Sequence, residues 1–219
     1  AMETLVNVPI LVAGVALPLL AAAARDDLER LRAAVRGLGE GAVIAGVLVV
    51  LVTVPLAAPL MAAIGGAPFR PAGDVLRIQV AALLFIGLYQ VWTVSLIALG
   101  RQRDLIVTNG LGLVGIAVFA AILIPAWGAK GGACASVLGD AVLASLIYWR
   151  LRAEAGNVMV STSFLARVAV AAAAGAATIL IPGMPAIPAA ALAGGVFLCT
   201  GLLTGMVPPE LRAALSSLR

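Results

Sequence analysis

Residues 105–149 read LIVTNGLGLVGIAVFAAILIPAWGAKGGACASVLGDAVLASLIYW, and only Lys130 and Asp140 among them carry a formal charge. The run contains two apolar segments around a Gly-rich turn, each close to the ~20 residues that a helix needs to cross a bilayer. Similar runs recur along the whole chain, which is 63% hydrophobic and 11% charged. Soluble domains contain roughly 25% charged residues. The composition therefore predicts a multi-span membrane protein without a soluble domain.

The fold class predicted from these runs is all-α and polytopic, with about seven transmembrane helices in one domain, 1–219. Lipid cannot satisfy free backbone N–H and C=O groups, so each span must be a helix. A strand of a membrane β-barrel needs only ~10 residues of alternating polarity. These apolar runs are uninterrupted and far longer, so barrel strands are excluded. The predicted spans are residues 5–24, 41–64, 75–99, 105–127, 131–149, 164–181 and 187–207.

The basic residues are strongly biased toward alternate loops. Eleven of the fourteen lie in the first, third and fifth loops, the start of the sixth span and the C-terminal tail, and only Arg70, Arg77 and Lys130 lie on the other side. The positive-inside rule places the larger group in the cytoplasm, with the N-terminus outside and the C-terminus inside. Because the chain starts almost within a span, as AMETLVNVP, we expect it to be a fragment of a longer protein.

Two further patterns concern helix packing. Leu28, Leu31 and Val35 recur at helical spacing between charged residues of the first loop, which predicts an amphipathic helix on the membrane surface. Small residues recur at one-turn spacing in the fifth span, where they predict close helix packing. They are Gly132, Ser136, Asp140 and Ala144.

Polar residues of the third span are candidates for a substrate cavity. Arg77 and Gln79 lie near its start, and Tyr89 and Gln90 near its middle. On a helix, eleven residues make about three turns, so Gln79 and Gln90 share one face with Tyr89 close by. Two interpretations stay open, a hydrated groove that holds sugar hydroxyls or hydrogen bonds between helices. Asn7, in the first span, is a further cavity candidate.

Asp140 is the one acid deep within an apolar run, and an ionised carboxylate there needs a partner or a wet cavity. It is a candidate coupling or proton site, or else a group that bonds to a neighbouring helix. Arg77 has a simpler alternative as well, because its side chain can reach the interface from the end of a span.

Catalytic and metal-binding patterns are missing from the sequence. The chain has no His, no P-loop, no nucleophile elbow and no carboxylates at metal spacing, and Cys134 and Cys199 lie unpaired in apolar runs. We therefore expect no enzyme activity, no catalytic residues, no cofactor, no metal and no disulfide. Basic residues beside spans report topology, so a nucleic-acid partner is not expected either.

Two segments carry a recognisable order of helices and turns. In residues 3–35, a helix with a Leu-Pro-Leu element precedes a basic loop with an Asp-x-Glu element. In residues 98–140, a Gly-basic turn is followed by a helical Asn, a Pro and a Gly-rich turn into another helix. The residues of these elements are Leu17, Pro18, Leu19, Arg25, Asp27, Glu29, Gly100, Asn109, Pro125, Gly128, Gly131, Gly132 and Ala133. In this pattern the chain resembles polysaccharide flippases of the MOP (multidrug/oligosaccharidyl-lipid/polysaccharide) exporter superfamily.

The resemblance covers most of residues 1–150 and implies the C-terminal lobe of a two-lobe transporter that works by alternating access. Residues 151–219 would then be two additional helices. The implied function is the flipping of a lipid-linked oligosaccharide or polysaccharide precursor across a bacterial inner membrane. The implied partners are the polyprenyl-linked sugar, membrane lipid, and an N-terminal lobe or a second copy of the chain. Arg77 would be a partner for the anionic pyrophosphate of the substrate.

Two alternatives to the flippase stay open. A cation-coupled multidrug exporter of the same superfamily shares much of the pattern, although the single deep acid and the 5% aromatic content mildly favour the flippase. A non-transporting membrane remnant or scaffold is the other alternative, because the first lobe is missing from the sequence.

Overall fold

A computed structural model of the chain describes residues 20, 21, 24 and 27–206. In this part of the chain the protein is helical and has no strand, which confirms the all-α prediction. Six α-helices and one short 3₁₀ helix, Ala67–Phe69, follow each other in residues 27–206. The α-helices are α1 (Leu28–Gly65), α2 (Ala72–Gln79), α3 (Ala82–Ala98), α4 (Gln102–Ala155), α5 (Thr162–Ile179) and α6 (Ala186–Leu203).

Five helical segments in the described residues are long and apolar enough to cross a membrane. They are α1, the α2–α3 segment, α4, α5 and α6. The predicted count of seven is not confirmed. Most of the first predicted span lies outside the described residues, and α4 holds both the fourth and the fifth.

Helix α1 corrects the prediction of a separate amphipathic surface helix. Its 38 residues run without a break from the charged first loop into the second span, about 57 Å at 1.5 Å per residue. Leu31 and Val35 are fully buried against residues of α3 and α4 instead of facing lipid headgroups. An apolar stripe on a helix has the same sequence pattern whether lipid or other helices cover it. The sequence therefore could not distinguish a surface helix from a buried one.

Helix α4 is two antiparallel arms rather than one rod. Gly128 has a non-helical backbone conformation, with φ 56° and ψ −131°, between residues 102–127 (the first arm) and 129–155 (the second arm). The arms then run back along each other, since Gly112 faces Leu143 and Gly139 faces Ile116. We call this pair of arms the hairpin.

The other helices pack on both sides of α1. The α2–α3 segment runs antiparallel to it, with Gly46 against Leu84 and Gly87 against Ala42. The hairpin packs on α3, and its second arm runs parallel to that helix. On the opposite side, α5 and α6 form an antiparallel pair around Phe164, Val168, Ala193 and Phe197. α1 thus lies at the centre of the bundle.

Polar contacts tie the connections together at two opposite ends of the bundle. At one end, Arg36 donates to the carbonyl oxygen of Asn157 at 2.7 Å, and Arg101 pairs with Glu154 at 2.7 Å. Arg32 donates to the carbonyl oxygen of Ala155 there. We call this the Arg-rich end; the opposite end, with Arg70, Arg77 and Lys130, is the Lys130 end. The first, third and fifth loops therefore meet at one end, as the charge pattern predicted.

Candidate functional site

Among the described residues three hydroxyl groups are buried, on Thr53, Ser95 and Thr108, and the last two bond within their own helices. Ser95 is fully buried and donates to the carbonyl oxygen of Val91 at 2.7 Å. Thr108 donates to Asp104 and Leu105 carbonyl oxygens at 3.1 and 3.2 Å. Bonds of this kind use the hydroxyl hydrogen within the residue's own helix. The candidate site must therefore be sought among the partly buried polar groups.

Tyr89 lies on α3 and Asp140 on the second arm of the hairpin, and these two segments pack against each other. Both residues are partly buried. Tyr89 and Val137, three residues before Asp140, pack on one apolar cluster that includes Leu83 and Ile86. The structure thus brings together two candidates that are 51 positions apart in the sequence, at the middle of their two spans.

Aromatic rings support this pair from the Arg-rich side. The rings of Trp92 and Tyr148 lie 5.3 Å apart, centroid to centroid, at an angle of 47°. Trp92 is buried and lies about one turn beyond Tyr89, so the contact fixes α3 against the second arm. The position of Asp140 relative to Tyr89 is therefore set by a packed contact nearby.

Gln79 and Gln90 lie at different places on the α2–α3 segment. Gln79 ends α2, and Gln90 is in α3 beside Tyr89. Between them, Ala81, Leu83 and Leu84 donate to carbonyls three residues back, at 3.2, 3.1 and 3.3 Å. Such 3₁₀ bonds tighten the helix to ~3.0 residues per turn. The side chains that follow are therefore rotated about the helix axis. The prediction that Gln79 and Gln90 share one face assumed a regular helix, and the helix is interrupted here. Their shared face therefore stays a prediction.

Free hydrogen-bonding capacity is what Gln79, Tyr89, Gln90 and Asp140 have in common. None of these side chains makes a hydrogen bond with another residue among those the structure describes. Each remains partly accessible. The predicted alternative of direct hydrogen bonds between helices is therefore not seen for them in residues 27–206.

Arg77 lies at the Lys130 end, in a network of its own. Its Nε donates to the carbonyl oxygen of Val54 at 3.1 Å, and its Nη1 pairs with Asp74 at 3.0 Å. Asp74 also accepts from Lys130 at 3.0 Å, which joins α2 to the turn of the hairpin. Arg77 is thus separate from Tyr89 and Asp140, and its Nη2 is left for another acceptor.

Sequence analysis missed Asp74 and its role in joining two elements. Its spacing of three residues from Arg77 is a recognisable signal for an ion pair on one helix. The bond to Lys130 has no such signal, because it depends on how the hairpin folds back onto α2. Asn7, the remaining cavity candidate, lies outside the described residues.

Metal-binding geometry is not found in the described part of the chain. No three His, Cys, Asp or Glu side chains cluster there, and Cys134 and Cys199 are free thiols. Comparison of the chain with protein-family models, curated proteins and solved structures finds no match.

Proposed function

We propose that the chain acts as the C-terminal lobe of a lipid-linked oligosaccharide flippase of the MOP superfamily. It would move a polyprenyl-pyrophosphate sugar across a bacterial inner membrane by alternating access, with the Arg-rich end in the cytoplasm. The observation that carries the proposal concerns Tyr89, Gln90 and Asp140. These three residues place accessible polar side chains near the middle of two spans.

The chemistry of these side chains suits a sugar. A glutamine amide both donates and accepts hydrogen bonds, a tyrosine offers a hydroxyl and an apolar ring, and a carboxylate accepts. Sugar hydroxyls need such mixed partners. Because polar groups in a membrane interior are costly, unpaired ones usually line a wet pathway or a substrate site.

Arg77 is the proposed partner for the pyrophosphate at the Lys130 end. Its Nε and Nη1 bind Val54 and Asp74, which holds the guanidinium in place and leaves Nη2 for a phosphate oxygen. Asp74 competes with the phosphate for the same cation. The proposed contact is therefore one that can be released after translocation.

A cation-coupled drug exporter is the second candidate. It is favoured by Asp140, which has no cationic partner among the described residues and could bind a coupling ion or a cationic drug. The two candidates differ in what they need from Gln90. An amide matters for sugar hydroxyls, whereas an exporter of apolar cations depends on the carboxylate.

The test is complementation of a cell that lacks its polysaccharide flippase, with surface polysaccharide as the readout. Residues 1–219 and the complete natural reading frame are expressed in parallel, each with Gln90→Leu and Asp140→Asn variants. The matched control is Gln102→Leu, the same substitution at an exposed glutamine at the start of the first arm.

We expect Gln90→Leu and Asp140→Asn to lower surface polysaccharide at least tenfold at equal membrane levels, and Gln102→Leu to leave it unchanged. Equal effects of Gln90→Leu and Gln102→Leu contradict a sugar site at Gln90. Loss of drug resistance through Asp140→Asn but not Gln90→Leu, in a cell without drug exporters, would favour the second candidate.

A further inference from the structure

A groove runs along the outer face of the hairpin, away from Tyr89 and Asp140. It is an open groove of about 340 Å³, lined almost entirely by apolar atoms. The one hydroxyl in it, on Ser145, donates to the carbonyl oxygen of Ala141 at 2.7 Å and so is already satisfied. The lining residues are Phe119, Leu138, Ala141, Val142, Ser145, Leu146 and Trp149.

The length of the groove matches one leaflet of a bilayer. From Leu138 to Trp149 the second arm advances eleven residues, about 16 Å at 1.5 Å per residue. The hydrocarbon core of a bilayer is ~30 Å thick, so one leaflet is about half of that. An acyl chain of the leaflet at the Arg-rich end can therefore lie along the groove over its full depth.

A cation stands at the end of the groove where a lipid headgroup would lie. Arg152 is three residues beyond Trp149 and continues the same face of the second arm. Its side chain is exposed and makes no ion pair with the described residues. The nearby acid, Glu154, is occupied by Arg101 at 2.7 Å. The guanidinium of Arg152 is thus free for an anion at the membrane surface.

Trp149 marks the depth at which this change from apolar to charged occurs. It is 73% exposed and lies between the groove and Arg152. Tryptophan is enriched where the hydrocarbon core meets the headgroups, because its ring is apolar and its N–H is polar. A groove, an interfacial tryptophan and an unpaired arginine therefore follow one another along a single helix face.

We propose that this groove binds one anionic phospholipid, with an acyl chain along Leu138–Trp149 and the phosphate at Arg152. The inference does not depend on the proposed function, since the groove lies outside the candidate cavity. Charge complementarity selects the occupant, because a zwitterionic lipid would place a second cation beside Arg152. Basic pockets between helices at the cytoplasmic surface bind anionic headgroups in this way.

The test measures quenching of Trp149 fluorescence by lipids with brominated acyl chains. Trp92 and Trp127 are replaced by Phe so that Trp149 is the one tryptophan. The purified chain is reconstituted with increasing fractions of brominated phosphatidylglycerol or brominated phosphatidylcholine. We expect half-maximal quenching at about a fivefold lower fraction of phosphatidylglycerol, the preference that one basic residue at an anionic surface supplies.

Variants separate the headgroup contact from the acyl contact. Arg152→Gln should abolish the preference, Arg152→Lys should keep it, and Arg70→Gln, at the opposite end, should leave it unchanged. Ser145→Phe fills the groove and should weaken quenching by both lipids. Ala117→Phe adds the same ring at an exposed position of the first arm that does not line the groove, and should have no effect.

Three results would overturn the proposal. The first is equal quenching by the two lipids, and the second is a preference that survives Arg152→Gln. The third is displacement of the brominated lipid by a polyprenyl phosphate at lower fractions than by unbrominated phosphatidylglycerol. That outcome would assign the groove to the carrier lipid of a transport substrate.

Discussion

Gly139 lies at a close contact between the two arms of the hairpin. A Cβ at this position would stand 2.0 Å from Cγ1 of Ile116 and 3.2 Å from its Cβ. Because both atoms belong to the inner part of a branched side chain, the first arm would have to move away. Small residues let membrane helices approach closely, and here that approach depends on one hydrogen atom in place of a methyl group.

We expect Gly139→Ala to lower the free energy of unfolding by about 1–3 kcal/mol, the usual cost of overpacking. The measurement is loss of helical circular dichroism on titration of detergent-solubilised protein with SDS. Gly110→Ala is the matched control, since a Cβ there meets nothing within 4 Å and alanine favours a helix by ~1 kcal/mol. Equal stability of the two variants would show that the arms do not touch at Gly139.

The contact at Gly139 can be compared with the packing positions predicted from the sequence. The sequence predicted close packing in the second arm, but at Gly132, Ser136, Asp140 and Ala144. Between the two arms, the close contacts are at Gly131 and Gly139, while Gly132 meets Ile124 at an ordinary 3.8 Å. Ala144 of the predicted row is buried in the cluster shared with α3. One residue is a rotation of ~100° on a helix, so the offset turns Asp140 away from the first arm. The predicted and the observed positions both consist mainly of small residues, so the sequence pattern does not distinguish between them.

At the scale of the element, the hairpin depends on its turn. Gly128 combines φ 56° with ψ −131°, outside the region that L side chains enter readily. No atom lies within 4 Å of a Cβ built there, so a substitution would meet conformational strain alone. The sequence marked this turn by its cluster of glycines, and the structure places the reversal within it.

We expect Gly128→Ala to destabilise the protein by roughly 1–3 kcal/mol, the cost of a residue held in a disfavoured backbone conformation. The SDS titration measures it, and Ala129→Gly, one residue along, serves as a control for changes near the turn. A Gly128→Ala variant as stable as the parent would mean that the two arms continue as a single bent helix.

The positions of helices were predictable where length and polarity alone determine a membrane span. The third, sixth and seventh predicted spans lie within a few residues of the α2–α3 segment, α5 and α6, because ~20 apolar residues have few other solutions in a membrane. The prediction of a surface helix in the first loop was wrong, because the burial of Leu31 and Val35 depends on α3 and α4. That Tyr89 and Asp140 lie on adjoining segments depends on how the second arm packs on α3, which no local pattern encodes.

At the scale of the whole molecule, charge separates the two ends of the bundle. The Arg-rich end joins three connections through Arg32, Arg36 and Arg101, and the Lys130 end joins two through Asp74. The exposed pairs contribute only ~0–1 kcal/mol each, so their number matters little for stability. Their distribution matters for orientation, because basic residues beside spans are retained in the cytoplasm.

This asymmetry predicts which side each connection faces. In a chain whose Cys134 and Cys199 are replaced by Ala, single cysteines are placed at exposed positions of the two ends. The positions are Gln102 and Ala153 at the Arg-rich end, and Phe69 and Ala129 at the Lys130 end. We expect a membrane-impermeant maleimide to label the Phe69 and Ala129 positions in intact spheroplasts and the other two only in inverted vesicles. Labelling of Gln102 and Ala129 from the same side would contradict the hairpin crossing the membrane, because the first arm separates these two positions. Labelling of all four positions in the opposite sense would keep the fold and reverse its orientation, which would place the groove beside Arg152 in the outer leaflet.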